Sequence, residues 1–255
     1  MSTTLQQIEI FLQQTFDGQE PSDVSWNGTQ IENDGKIDHI YAGVDATLDF
    51  FRAAPNPEHA LFLVHHGIYW KFLDPRTRGV LREKIGYCMN YNSALIAYHL
   101  PLDIHPEYGN NSQILKKLGF IDDCLKPFGF KEGVFYGYSN CRKHEVNLEE
   151  ILSISKKIFS KETILFAFGN KEIKSCAVVS GSGGFAIQEA SEKKIDLFVT
   201  GEYSHSAYTF SRDHGVNLLC LTHYGSEKEG VIALGEEIAK KFRIIFTFLD
   251  IPPIF

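Results

Sequence analysis

The chain has 255 residues, 44% of them apolar, enough to bury a sizeable core as one large domain or two small ones. Its 25 basic and 32 acidic side chains leave a net charge of −7 with no concentrated basic stripe, so duplex nucleic acid is not an expected partner. No segment has the pattern of a signal peptide or membrane span. Cys88, Cys124, Cys141, Cys176 and Cys220 are odd in number, scattered and free of any CxxC pair, which points to reduced thiols and a cytoplasmic location.

Leu5, Ile8, Phe11, Leu12 and Phe16 recur at helical spacing and predict an N-terminal packing helix. Further along, three apolar runs without alternation read as strands buried on both faces. Residues 60–64 lead into His65-His66, residues 94–98 into His99 and Asp103, and residues 218–222 into His223 and Glu227. Because ligands of α/β proteins bind at the carboxyl ends of such strands, these imidazoles and carboxylates are expected to converge on one crevice. Helices are predicted over 47–54, 77–90, 112–118, 148–160, 184–194, 204–213 and 230–242. Asn147-Leu-Glu-Glu150 has the spacing of a variant capping box, and Gly119 is placed to end the helix before it. The Pro- and Gly-bearing stretch from Lys126 to Gly133 suggests a boundary between a half spanning 1–127 and one spanning 128–255. A last strand over 243–250 is free to return to either half.

An internal repeat supports that division. Asp45 stands as far before Ser180 as His65 does before Thr200, and His99 to His223 repeats the interval from Asp103 to Glu227, with the second copy 11 residues shorter in the connection. The expected architecture is α/β: two similar three-layer halves related by the repeat, with a metal site between them.

A single histidine at a strand end is more often a hydrogen-bonded structural residue than a ligand. A His-His pair closing one strand, with two His-x3-carboxylate units closing two others, is harder to read that way. Imidazole plus carboxylate suits Zn, Mn, Fe or Ni, and the absence of cysteine argues against a thiolate-rich structural zinc. Gly181-Ser-Gly-Gly184 follows a strand and opens a helix, so Gly181, Gly183 and Gly184 could hold phosphate through backbone N–H groups; a tight turn is the equal alternative, since the loop has no Walker lysine. Glu202 is placed either to orient a ligand histidine or to carry protons.

The motifs His65-His-Gly-Ile-Tyr-Trp-Lys71, His99-Leu-Pro-Leu-Asp-Ile-His-Pro-Glu-Tyr-Gly-Asn-Asn111, Thr200-Gly-Glu202 and His223-Tyr-Gly-Ser-Glu227 closely resemble the Nif-three-like proteins, labelled GTP cyclohydrolase type-2 homologues. The resemblance runs from Trp26 to Pro252. It implies a dinuclear centre of two divalent ions held by His65, His66, Asp103, His223 and Glu227, with Glu227 bridging, in a ring-shaped homohexamer. The activity so implied is metal-dependent hydrolysis of a nucleotide-like small molecule, with water adding to C8 of a purine nucleotide and His99, His105 or Glu202 moving protons. The alternative is a metal-binding interaction or regulatory protein whose assembly, not turnover, is the function.

Overall fold

The computed structural model describes residues 3–18, 21–121 and 124–253. Its first elements are β1 (Thr3–Thr4), α1 (Leu5–Phe16), β2 (Gly28–Ile31), β3 (Lys36–Ile37), β4 (His39–Asp45), α2 (Leu48–Ala53), β5 (Ala60–His66), α3 (Gly79–Asn90), β6 (Ala94–Ala97) and α4 (Leu100–Asp103). There follow α5 (Asn110–Lys117), β7 (Lys126–Lys131), β8 (Val134–Asn147), α6 (Leu148–Ile158), β9 (Ile164–Phe166), β10 (Glu172–Val179), a 3-10 turn (Gly183–Ala186) and α7 (Ile187–Glu192). The chain continues through β11 (Leu197–Thr200), α8 (His205–His214), β12 (Asn217–Cys220), α9 (His223–Phe242) and β13 (Ile245–Phe248). Two compact units emerge: Met1–Leu102 together with Val231–Phe255, and Asp103–Gly230.

In the first unit, α1 forms where the apolar spacing requires it. Thr4 accepts the Gln7 backbone N–H while the Gln7 side chain accepts that of Thr4, a reciprocal cap, and Leu5, Ile8, Leu12 and Phe16 are buried. The sheet has the order β13-β4-β5-β6-β2, parallel throughout except for β2, which runs antiparallel on its edge. The runs of β5 and β6 are fully buried, as their unbroken apolar character demands. Tyr41, Phe50, Phe51 and Phe62 fill the core. Gly43 makes that packing possible, because a Cβ there would stand 2.5 Å from the Phe50 ring.

The second unit has the sheet order β7-β8-β10-β11-β12-β9. Here too the three central strands, β10, β11 and β12, are parallel and the edge strand beyond them, β9, is antiparallel. Both units therefore share one connectivity: a helix, an antiparallel edge strand, then three parallel strands, as α1-β2-β4-β5-β6 and as α6-β9-β10-β11-β12. Register agrees as well, since His39 pairs with Ala60 and Cys176 with Leu197, in each case 21 residues on.

Several local expectations are corrected. The stretch Lys126–Gly133 is not a plain connection: it contains β7 and the turn into β8, a hairpin whose alternation is obscured by Pro127, Gly129 and Gly133. Pro127 is tolerated because β7 is an edge strand. The helix expected over 184–194 divides into the 3-10 turn and α7. That expected over 230–242 begins seven residues earlier, at His223, because Thr222 takes a left-handed φ of 69° and its hydroxyl accepts the Gly225 N–H, starting the helix directly after the strand run. β13 returns to pair with β4, in parallel. Among the described residues no helix is long and apolar enough to cross a membrane.

Candidate metal centre

Within the first unit, β5 ends on His65 and His66, and His99 follows β6. His65 is fully buried, and its Nδ1 lies 2.9 Å from the Tyr98 carbonyl oxygen. A carbonyl only accepts, so Nδ1 carries the proton and Nε2 presents its lone pair. His66 Nδ1 is 2.8 Å from Asp45 Oδ1, and His99 Nδ1 is 2.8 Å from Asp23 Oδ1. One ring nitrogen from each of the three imidazoles lies within 4.8 Å of the others. This is the arrangement of metal-ligating histidines, whose other ring nitrogen donates to a carboxylate or carbonyl.

Asp23 is itself held firmly. Its carboxylate accepts from the Ser25 and Leu100 backbone N–H groups, the Asn27 amide and His99. Burial opposes its ionisation, but the hydrogen bond and charge of His99, with those from Ser25 and Asn27, outweigh burial and hold the carboxyl well below the usual carboxylate range.

In the second unit, the four-residue spacing of His223 and Glu227 has a structural meaning the strand-end reading missed: both lie on the first turns of α9, one above the other. His223 Nε2 is 3.1 Å from Glu227 Oε2, and its Nδ1 is 3.2 Å from Glu202 Oε1. Glu202 also accepts from the Ser182 hydroxyl. Asp103, at the end of α4, accepts from the Ser180 hydroxyl at 2.7 Å and the Asn110 amide at 2.9 Å. The Asp103 and Glu227 carboxylates, 6% and 3% exposed, come within 4.8 Å of one another. Two buried carboxylates so close are costly without a cation.

The remaining sequence candidates occupy supporting positions. His105 Nδ1 accepts the backbone N–H groups of Glu107 and Tyr108, and its ring stacks on Tyr108. Gly181, with φ of 57°, lies directly against Glu227, and its N–H donates to Ser226. Gly183 is equally confined, since a Cβ there would press on Val179 and stand 2.8 Å from Thr200 Oγ1. Gly184 lines a cleft of about 470 Å³ with Ser182, Glu202, Tyr203 and Ser206.

Sequence reasoning missed Asp23, Asp45, Asn110 and Ser180. Asp45 had a signal: it closes β4 in direct register with His66. Asp23 had none, because it lies between elements and reaches His99 only through tertiary folding.

Comparison with known proteins gives a consistent result. The model of the Duf34/NIF3 (NGG1p interacting factor 3) family matches residues 3–252. A protein of Archaeoglobus fulgidus named GTP cyclohydrolase 1 type 2 homolog is 36% identical over 250 residues, covering 97% of this chain and 98% of its own. One of the same name from Pyrococcus abyssi is 37% identical, with 97% and 98% covered. Among solved structures, protein ybgI, described as of unknown function, superposes with a TM-score of 0.87 at 26% identity, covering 99% of both chains. A protein from Thermus thermophilus, TTHA1606, gives 0.84 at 29% identity, covering 98% of this chain and 99% of its own.

Proposed function

The chain belongs to the Duf34/NIF3 family, and from that premise we propose that it is a metal-dependent hydrolase of a nucleotide-like substrate. Its ligands are His65, His66, Asp103, His223 and Glu227, and they hold two divalent ions. The observation that carries this reading is the pair of buried carboxylates, Asp103 and Glu227, within 4.8 Å of each other, a donor set that calls for positive charge. The imidazoles fit the same demand, because His65 and His66 have Nδ1 committed to an oxygen and Nε2 turned to ligation.

Two divalent ions held by these residues would lower the pKa of bound water and polarise the bond under attack. The chain's own residues do the rest. Glu202 holds the His223 ring through Nδ1 and, being half exposed, can exchange protons with a substrate. His105, whose Nδ1 accepts two backbone N–H groups, is the second proposed proton carrier. The N–H groups of Gly183 and Gly184 are the proposed phosphate contacts, beside the cleft lined by Ser182 and Ser206. The same family resemblance supports a cytoplasmic homohexamer, which light scattering will test.

Elemental analysis of metal-replete protein is expected to give two ions per chain, and Glu227→Ala to reduce both. A screen of nucleotides and phosphoesters is expected to find turnover that chelation abolishes. One ion or none would overturn the dinuclear reading. Absence of any chelator-sensitive activity, with the assembly intact, would leave a binding protein instead.

A further inference from the structure

The cleft beside Glu202 offers more than the phosphate contacts proposed above. We propose that it seats the nucleoside portion of the substrate, with Phe185 and Tyr203 stacking on the base and the hydroxyls of Ser182, Ser204 and Ser206 meeting its polar atoms and those of the sugar. This rests on the hydrolase reading above and adds which part of the substrate is recognised, and by which residues.

Three observations lead there. First, the cleft is a shaped feature of the second unit, lying between the turn that follows Ser182 and the start of α8. Gly184 lets these two segments close on each other, since a Cβ there would stand 3.2 Å from the Glu202 carbonyl oxygen and 3.5 Å from the Tyr203 Cα. The volume of about 470 Å³ falls within the roughly 300–1,000 Å³ of small-molecule sites. Second, the two aromatic rings that line it are exposed yet fixed. Phe185 and Tyr203 are each 41% exposed. Phe185 meets Tyr136 edge-on at 5.7 Å and holds the Lys131 ammonium 5.2 Å from its centroid, within cation–π range. Tyr203 meets Phe166 edge-on at 4.8 Å, and Phe166 packs in turn on Tyr208 at 4.9 Å. Rings already braced lose little freedom when a base stacks on them.

Third, polar groups are set among the rings and lead towards the proposed ligands. One Glu202 oxygen accepts from the Ser182 hydroxyl at 2.7 Å and the other lies 3.2 Å from His223 Nδ1. A molecule seated against Ser182 is therefore one side chain away from a proposed metal ligand. The exposed hydroxyls of Ser204 and Ser206 stand 2.8 Å apart, and that contact uses one of their two protons, which leaves the pair able to donate to a ligand. An aliphatic ligand would leave these hydroxyls unpaired, and an inorganic anion would leave the rings uncovered. A flat base joined to a hydroxyl-bearing sugar satisfies both.

The test uses the full chain loaded with zinc and measures binding by calorimetry, with guanosine monophosphate, adenosine monophosphate and ribose 5-phosphate as probes. At least one of the nucleotides is expected to bind at least about 10-fold more tightly than ribose 5-phosphate. Tyr203→Leu and Phe185→Leu keep apolar bulk but lose the π-face. Each should weaken that nucleotide roughly 10- to 100-fold and leave ribose 5-phosphate unchanged, while Tyr203→Phe binds as the wild type does. Melting curves check that the variants fold, and light scattering that they assemble as the wild type does. Should a Leu variant not fold, Ser206→Ala, a change confined to an exposed hydroxyl, reads the same cleft with an expected loss of roughly 2- to 10-fold. Nucleotide binding unchanged in the folded variants, or ribose 5-phosphate bound as tightly as either nucleotide, overturns the proposal while a hydrolase with its substrate seated elsewhere stands. Folded Leu variants with an altered assembly overturn it as well, because the rings then belong to contacts between copies of the chain. Wild-type protein that binds none of the three probes overturns both readings.

Discussion

At the scale of single residues, Gly181 ties backbone geometry to the site. Its φ of 57° suits glycine, and the space a Cβ would need is held by Glu227 Oε1. Gly181→Ala must therefore strain the backbone or displace the carboxylate. Unfolding of the metal-free protein in denaturant is expected to show a loss of about 1–3 kcal/mol. A metal titration of the same variant should show weaker binding, and an unchanged result in both would mean that Glu227 yields freely. The proposed ligands were legible in the sequence because each sits on or just beyond an apolar run, where chain direction alone dictates where the next polar group goes. Their partners were legible only in part. Asp45 follows from strand register, but Asp23 and Ser180 reach their partners across long stretches of chain, and no local pattern encodes such a meeting.

At the scale of elements, the signals that worked were caps and periodicity. Asn147 begins α6 by accepting the Glu149 N–H at 3.0 Å, and Gly119, with φ of 80°, follows the end of α5, the Phe120 N–H returning to Leu115 and its own to Lys116. Asn147→Ala is expected to destabilise the protein by about 1 kcal/mol, measured by chemical denaturation, with the second-unit core otherwise intact. A loss of well under about 0.5 kcal/mol would show that tertiary packing alone holds α6. What failed was the start of α9 and the β7-β8 hairpin. In the first case a strand-like run passes straight into the helix through a non-glycine residue in the left-handed region. In the second, the β8 sequence mixes buried and exposed positions without strict alternation, so its 14 residues carried no clean period.

At the scale of the whole molecule, a ligand that binds only the folded chain raises its stability by mass action. Metal at about 100 times its dissociation constant contributes about 2.7 kcal/mol. For a protein of this size that corresponds to roughly 5–10 °C in melting temperature. Chelator treatment should lower the melting temperature by that amount and re-addition of zinc restore it, as scanning calorimetry would record; no shift in either direction would contradict a folded-state metal site. The two units use one strand plan twice, and the plans differ at the strand end that holds His65 and His66 in the first and Thr200 and Gly201 in the second. A side chain at Gly201 would collide with Ser226 and stand 2.7 Å from the Gly181 carbonyl oxygen, so no single substitution there gives the second unit the imidazole that the first carries at the same point of its plan.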